Sequence, residues 1–243
     1  MTEFRIQIAG VTAAVTGQFE STGYYCRNYF SEEPPAFSIA VTGEDLENEQ
    51  ALLRREALEE GLRPRVFPEP FLERSVIQRK LADLLLSQDV LLFHGSTVAL
   101  DGAAYLFTAP CGTGKSTHTR LWREAFGEAV MVNDDKPFLR FTTEGVLACG
   151  APWSGKHGLD TNIAVPLRGI CILERGSENR IVPATAAQRE FLLTQRHRPE
   201  DPEKDRLSAA LTEALMDRVP VWYMTCTKDP DAPLVSRRAM ASY

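Results

Sequence analysis

The sequence predicts an α/β fold whose mixed β-sheet is built around a phosphate-binding loop, and three stretches carry that prediction. Residues 103–108 read as a buried strand that runs into Ala109-Pro110-Cys111-Gly112-Thr113-Gly114-Lys115-Ser116, and Thr117 then opens a helical stripe. Immediately upstream, Asp101-Gly102 is a two-residue hairpin signal that folds residues 97–100 back against that strand. Farther on, the apolar residues 129–133 read as another strand and end in the acidic pair Asp134-Asp135. An antiparallel neighbour directly before the loop sets this sheet apart from the mostly parallel sheets of common phosphate-loop proteins.

The loop's chemistry follows from its residue sizes. Small side chains let consecutive backbone N–H groups converge on one concavity, which is how such a loop holds nucleotide phosphates. Ala109 stands where the first glycine of the pattern usually stands. Lys115 can reach the β- and γ-phosphate oxygens as a point charge, and the Ser116 hydroxyl can ligate Mg²⁺. The helix that follows adds its positive N-terminal end. Residues 109–117 are therefore the expected nucleotide site, with ATP and Mg²⁺ as the expected cofactors.

The 243 residues suffice for one sizeable core with a small appendage. A formal charge of −6 argues against a nucleic-acid partner. Cys26, Cys111, Cys149, Cys171 and Cys226 are dispersed with no C-x-x-C pair, the pattern of reduced thiols without a metal or disulfide framework. Cys111, inside the phosphate loop, reads first as a small filler of its position and second as a reactive thiol. The first residues make no signal peptide, and no apolar run nears the roughly 20 residues of a bilayer span, so the expectation is cytoplasmic with no membrane partner.

In chain order, residues 1–70 are expected to form a small β-rich lobe without chemistry of its own, and residues 71–243 the core. Phe4, Ile6 and Ile8 alternate with polar neighbours, as do Phe37, Ile39 and Val41 after the Pro34-Pro35 break. Residues 44–60 read as a charged helix, and Pro64, Pro68 and Pro70 as a connector. Leu72, Val76, Ile77, Leu81, Leu84 and Leu85 form the helical stripe that opens the core. Past the loop, residues 117–126 read as its helix, 138–141 and 146–149 as a hairpin, and 169–174 as a buried strand with 181–182 beside it. The tail alternates helix 184–196, helix 202–217, strand 219–225 and a helix from 230 onward.

A right-handed crossover brings the end of the 129–133 strand to the sheet edge that carries the loop. One carboxylate there can hold Mg²⁺ and the other can take the proton of an attacking hydroxyl; hydrolysis needs only the metal ligand, so the pair points to transfer onto an alcohol. His94, ending a short strand at 89–93, is placed to face the γ-phosphate, although a lone histidine is more often structural. Asp160 is a further candidate metal carboxylate, and Trp153-Ser154-Gly155-Lys156-His157 has the composition of a binding loop or of a plain surface loop. His118 and His197 read as structural. Arg120, Arg140 and Arg168 could each reach a phosphate, and spacing does not choose between them.

Taken in order, Phe93-His94-Gly95, the hairpin, the loop and Val132-Asn133-Asp134-Asp135 resemble the C-terminal catalytic domain of HPr kinase/phosphorylase. That fold is related to ATP-dependent phosphoenolpyruvate carboxykinase. The resemblance covers roughly residues 90–175. It implies Asp134 as general base, Asp135 and Ser116 at the metal, Lys115 against the γ-phosphoryl charge, and His94 as the neighbouring catalytic histidine. A Glu-x-Arg-Gly-Leu-Gly segment follows the acidic pair in the family; here Gly155-Lys156-His157-Gly158-Leu159-Asp160 is the nearest stand-in, with Asp160 in place of the metal-binding glutamate. The lobe at 1–70 also differs from the family's N-terminal domain. The expectation is thus an ATP- and Mg²⁺-dependent kinase acting on a hydroxyl, serine of a peptide or protein in first place, and the family implies a homo-oligomer. Two alternatives stay open: a small-metabolite or carboxykinase-like enzyme, and a nucleotide-sensing partner that binds ATP without turnover.

Overall fold

Alternation of buried and exposed side chains sets the first strand, β1 (Thr2–Ile8), in the computed structural model, which describes residues 1–59, 61 and 63–241. Ala9 and Gly10, with φ of 50° and 76°, turn the chain back into the antiparallel β2 (Val11–Gly17). The strand β3 (Phe37–Ala40) joins β2 in parallel, and α1 (Glu20–Cys26), α2 (Gly43–Glu59) and α3 (Glu69–Leu85) complete this unit. Glu73 of α3 is fully buried and accepts the backbone N–H groups of Gln18 at 2.5 Å and Phe19 at 3.3 Å, so the donors between β2 and α1 are satisfied. Arg79 ties α3 to α2 through Glu49 at 2.9 Å and Glu56 at 3.1 Å.

The expected β-rich lobe is therefore a three-stranded sheet with helices. The stripe at 72–85, which the sequence assigned to the core, belongs to this unit: the compact units are Met1–Leu85 and Leu86–Tyr243. Helix α1 escapes a propensity reading because Ser21, Thr22, Gly23 and two tyrosines are weak helix formers.

The second unit is a nine-stranded mixed sheet. Its strands are β4 (Val90–Leu92), β5 (Ser96–Leu100), β6 (Ala103–Thr108), β7 (Val130–Asn133), β8 (Phe138–Phe141), β9 (Val146–Cys149), β10 (Ala164–Arg175), β11 (Arg180–Pro183) and β12 (Val221–Cys226). The hairpin at Asp101-Gly102 joins β5 to β6 with φ of 52° and 74° at its two turn residues, and β7 lies antiparallel on the far side of β5. The strand β10 extends five residues before the predicted start, since Ala164–Pro166 pair antiparallel with β9 while the rest pairs in parallel with β6 and then β12. A register shift between Leu167 and Gly169 marks the place where it changes partners.

Helix α4 (Lys115–Ala125) and α7 (Ala232–Ala241) cover one face, where Trp122, Phe107, Met224 and Met240 form a core; α6 (Pro202–Arg218) lies over the other, with Leu106, Ile170, Leu192 and Leu215. The predicted helix at 184–196 is shorter and mixed. A capping box of Thr185 and Gln188 starts α5 (Ala186–Arg189), and a 3₁₀ turn over Glu190–Thr194 follows. The tighter turn brings Gln195 against the end of β4, where its carbonyl accepts the His94 backbone N–H at 2.8 Å.

Behind β7, Gly150 leaves no room for a side chain: a Cβ there would stand 1.9 Å from the Thr161 carbonyl oxygen. Gly150→Ala should therefore cost about 2–3 kcal/mol, as overpacking against unyielding backbone does, and chemical denaturation of the purified protein reads it directly.

Candidate active site

The strand β6 delivers the phosphate loop, with Ala109 buried at its end and Lys115 at the head of α4. Gly112 and Gly114 have φ of 76° and 128°, conformations that a side chain would strain, which accounts for glycine at those two places. The Lys115 ammonium donates to the Ala109 carbonyl at 3.0 Å and so closes the loop on itself. From the end of β10, Arg175 donates through Nε to the Thr113 carbonyl at 3.1 Å and through Nη2 to the Gly112 carbonyl at 2.5 Å. A trans peptide points its C=O and N–H in opposite directions, so tethering the Thr113 carbonyl turns the Gly114 N–H away from Arg175.

The acidic pair meets this loop from β7. Burial holds Lys115 below the ordinary lysine value, and the fields of Cys111, Asp135 and Asp134 oppose that shift. Asp134 is nearly buried, and its Oδ1 accepts the Ser96 hydroxyl at 2.7 Å; Ser96 is in turn 2.8 Å from the Thr119 hydroxyl, so β5, β7 and α4 are laced together. Asp135 is more open, with Oδ1 3.5 Å from His94 Nε2. Burial alone would raise its pKa, but the hydrogen bond to His94 and the positive fields of Lys136, His94 and Lys115 outweigh it and hold the carboxyl below its usual range.

His94 is held on three sides. Its carbonyl accepts the Thr108 hydroxyl at 2.9 Å, and its Nδ1 lies 3.1 Å from Gln195 Oε1. Gln195 Nε2 donates to the Thr194 hydroxyl at 2.8 Å, which fixes the amide's orientation. An amide oxygen only accepts, so Nδ1 donates to Gln195, and the bond from Nε2 to Asp135 is made when that nitrogen carries a proton as well. The glycine after it is a packing requirement, since a Cβ on Gly95 would meet Leu106 Cδ2 at 2.9 Å.

Asn133 sets the turn beneath the pair. Its Oδ1 accepts the N–H groups of Asp135 at 2.9 Å and Lys136 at 2.6 Å, and its Nδ2 donates to the carbonyls of Ala151 at 2.7 Å and Trp153 at 3.3 Å. The 153–160 loop abuts the site at Gly155, whose absent Cβ would lie 3.1 Å from that of Asp135. Asp160 accepts the Ser154 hydroxyl at 2.6 Å, inside the same loop.

The structure thus brings Lys115, Asp134, Asp135, His94 and Cys111 to one sheet edge, and places Asp160 against Ser154 on the neighbouring loop. Lys156 and His157 are exposed there. Arg175 holds the phosphate loop by its carbonyls, and Arg120 pairs with Glu124 on the outside of α4. His118 is structural: burial pushes it down to about 4, and its Nε2 is 3.0 Å from the Ser236 hydroxyl. All five cysteines are free, and Cys111 is exposed. Ser96, Asn133, Arg175 and Gln195 were not singled out from sequence as site residues; only Ser96 and Asn133, adjoining the His94-Gly95 and Asp134-Asp135 motifs, offered a local signal.

Two cavities flank the loop. One of about 760 Å³ is walled by Cys111, Gly112, Ile172, Arg175, Phe191 and Tyr223, and one of about 330 Å³ by Gly114, Thr117, His118, Thr227 and Lys228. Among the described residues, no three His, Cys, Asp or Glu side chains cluster to hold a metal by themselves, and no helix is long and apolar enough to cross a membrane. The donors at hand, two carboxylates and the Ser116 hydroxyl one residue past Lys115, are hard oxygens. That set suits Mg²⁺, which commonly fills its shell with waters and substrate phosphates.

No family model and no curated protein matches the chain. Among solved structures, it is similar to the Hpr(Ser) kinase/phosphatase from Coxiella burnetii, with a TM-score of 0.38 and 12% identity over 62% of this chain and 97% of that one. A likeness at that level carries no chemistry over to this protein.

A carboxylate depressed in the folded state stabilises the fold above its unfolded value, and that contribution is lost as pH falls through the folded pKa. Asp135 therefore contributes to acid unfolding below the ordinary aspartate value of 3.8. His94→Ala should move the Asp135 titration upward in carboxyl-carbon NMR and flatten this part of the pH–stability slope.

Proposed function

We propose that the chain is an ATP- and Mg²⁺-dependent phosphotransferase that moves the γ-phosphoryl group onto a hydroxyl. The observation that carries this reading is the placement of Asp134 and Asp135, at the end of β7, beside the loop and helix that present Lys115: the Ser96 hydroxyl of β5 lies 2.7 Å from Asp134 Oδ1 and 2.8 Å from the Thr119 hydroxyl of α4. A nucleotide holder needs the loop and the lysine; transfer to an alcohol also calls for a proton acceptor beside them.

In this mechanism the backbone of residues 109–117 cradles the triphosphate, and Lys115 offsets charge that develops on the γ-phosphoryl oxygens. Asp134 accepts the proton of the hydroxyl as its oxygen attacks. Asp135 and Ser116 would hold Mg²⁺, which would neutralise charge on the phosphate oxygens. A carboxylate held below its ordinary range is a weak proton acceptor and a good cation ligand, which favours Asp135 for the metal and leaves the base to Asp134. His94, fixed by Gln195, orients Asp135, and Asp160 holds Ser154 in the loop that abuts it at Gly155. Positioning and electrostatics supply most of the acceleration, as is usual for phosphoryl transfer.

The resemblance read from the sequence points to serine in a peptide or protein as acceptor, in a homo-oligomer.

Lys115→Ala should weaken ATP binding by about tenfold or more, the worth of a charge-assisted contact; unchanged affinity in calorimetry would remove the loop from the nucleotide site. Asp134→Asn should slow phosphoryl transfer by about 10²–10⁴ while ATP still binds. Transfer of label from γ-labelled ATP at the wild-type rate in that variant places the base elsewhere, and release of free phosphate alone in the wild type makes the protein an NTPase.

A further inference from the structure

We propose that Arg175 is a positioning residue for the nucleotide: from outside the loop, its guanidinium holds the phosphate loop in the form that receives phosphates. The proposal rests on the phosphotransferase reading for its ligand, and it uses the nucleotide-binding half of that reading alone.

The fold brings the arginine to this place. The strands β6 and β10 run parallel, and Ile172 pairs with Thr108, the last residue of β6. The chain of β6 then leaves the sheet as the loop, while β10 continues to Arg175. That extension still pairs with β12, up to Arg175 opposite Cys226, and the Gly176 N–H donates to the Cys226 carbonyl at 3.1 Å. Gly176 has no room for a side chain, since a Cβ there would stand 2.9 Å from that of Thr225. Arg175 is therefore anchored at its backbone on a sheet strand, and only its side chain reaches across to the loop.

The loop needs such a hold because of its own sequence. Thr113 lies between Gly112 and Gly114, whose φ of 76° and 128° mark the freest joints in the loop. A peptide unit between glycine joints can flip, and a flipped carbonyl would turn its negative end to the phosphates. The carbonyls are instead tied off in turn. Pro110 accepts the Thr113 N–H at 3.2 Å, and Gly114 accepts the His118 N–H at 2.9 Å. Ala109 accepts the Lys115 ammonium at 3.0 Å. Gly112 and Thr113 accept from Arg175, through Nη2 at 2.5 Å and Nε at 3.1 Å. In the proposed mechanism Lys115 turns to the phosphates, so its tie to Ala109 is given up when the nucleotide arrives. The bonds from Arg175 can persist, because a trans peptide points the Gly114 N–H away from the guanidinium that holds the Thr113 carbonyl.

Arginine suits this task. A guanidinium presents its N–H donors in a rigid plane and can grip consecutive carbonyls at once, which a lysine's point charge does not reproduce. A loop fixed in its binding form before the ligand arrives avoids the cost of ordering it later, and the difference appears as affinity. Arg175 is exposed, so its replacement should leave the stability of the fold nearly unchanged.

Two variants and two nucleotides test the assignment. Arg175→Met keeps much of the stem and loses the donors; Arg175→Lys keeps the charge and loses the fork. In calorimetry with Mg²⁺ present, both should weaken ADP and ATP by about tenfold, and by the same factor for each nucleotide. NMR on nucleotide-free protein carrying heavy nitrogen in its glycines should show the Gly112 and Gly114 amide signals displaced, with those of Gly102 and Gly145 in place. Thermal unfolding should stay within about 2 °C of the wild type. Full affinity in Arg175→Lys would mean a point charge acting on the phosphates, and it overturns the proposal. A loss confined to ATP, or Gly112 and Gly114 signals that do not move, overturns it as well. A wild type that binds neither nucleotide defeats the phosphotransferase reading instead.

Discussion

Buried at the end of β7, the Asn133 amide accepts from the backbone of Asp135 and Lys136 and donates to the carbonyls of Ala151 and Trp153. Both halves of the side chain are committed, so the strand can end in only one way at this point. The turn it enforces sends Asp134 inward to Ser96 and Asp135 outward to His94. It also anchors the start of the 153–160 loop against the same strand. A buried amide left with unmade bonds would cost far more than the net worth of the bonds made, which makes this a constraint on geometry more than a source of stability.

The two acidic residues, adjacent in sequence, end in different environments. Asp134 is screened and joined to a hydroxyl pair that reaches α4; Asp135 is half-open and surrounded by positive charge. Environment rather than residue type divides their roles, because desolvation and nearby charge act on a carboxylate in opposite senses. The same division runs through the lysine, whose charge is disfavoured by burial and favoured by the acids it faces.

The strand β10 links the two halves of the sheet. Its first residues pair with β9, its middle with β6, and its end with β12, and Arg175 then reaches back to the phosphate loop. One strand thus sets the loop's outer carbonyls and carries the register shift at which the sheet changes partners. A side chain on such a strand alternates faces by geometry alone, so Cys171 packs toward α4 and α7 while its neighbour Ile172 packs on the opposite side.

What the sequence determined by itself was local: the loop between β6 and α4, the Asp101-Gly102 hairpin, the acidic pair at a strand end, and the mixed sheet they imply. Each is written in a few consecutive residues through backbone conformation or side-chain period, which act over a turn or less. Where the reading missed, distance intervened. Gln195 meets His94 across 101 positions and Arg175 meets Thr113 across 62, and no local pattern encodes such pairs. The 164–168 start of β10, the break of the 184–196 helix into a 3₁₀ turn, and the grouping of α3 with the first unit were likewise settled by partners far along the chain. Tertiary structure alone decided which acid is screened, which arginine holds the loop and where the cavities open, because burial and electric field belong to the folded surroundings of a side chain and not to its neighbours in sequence.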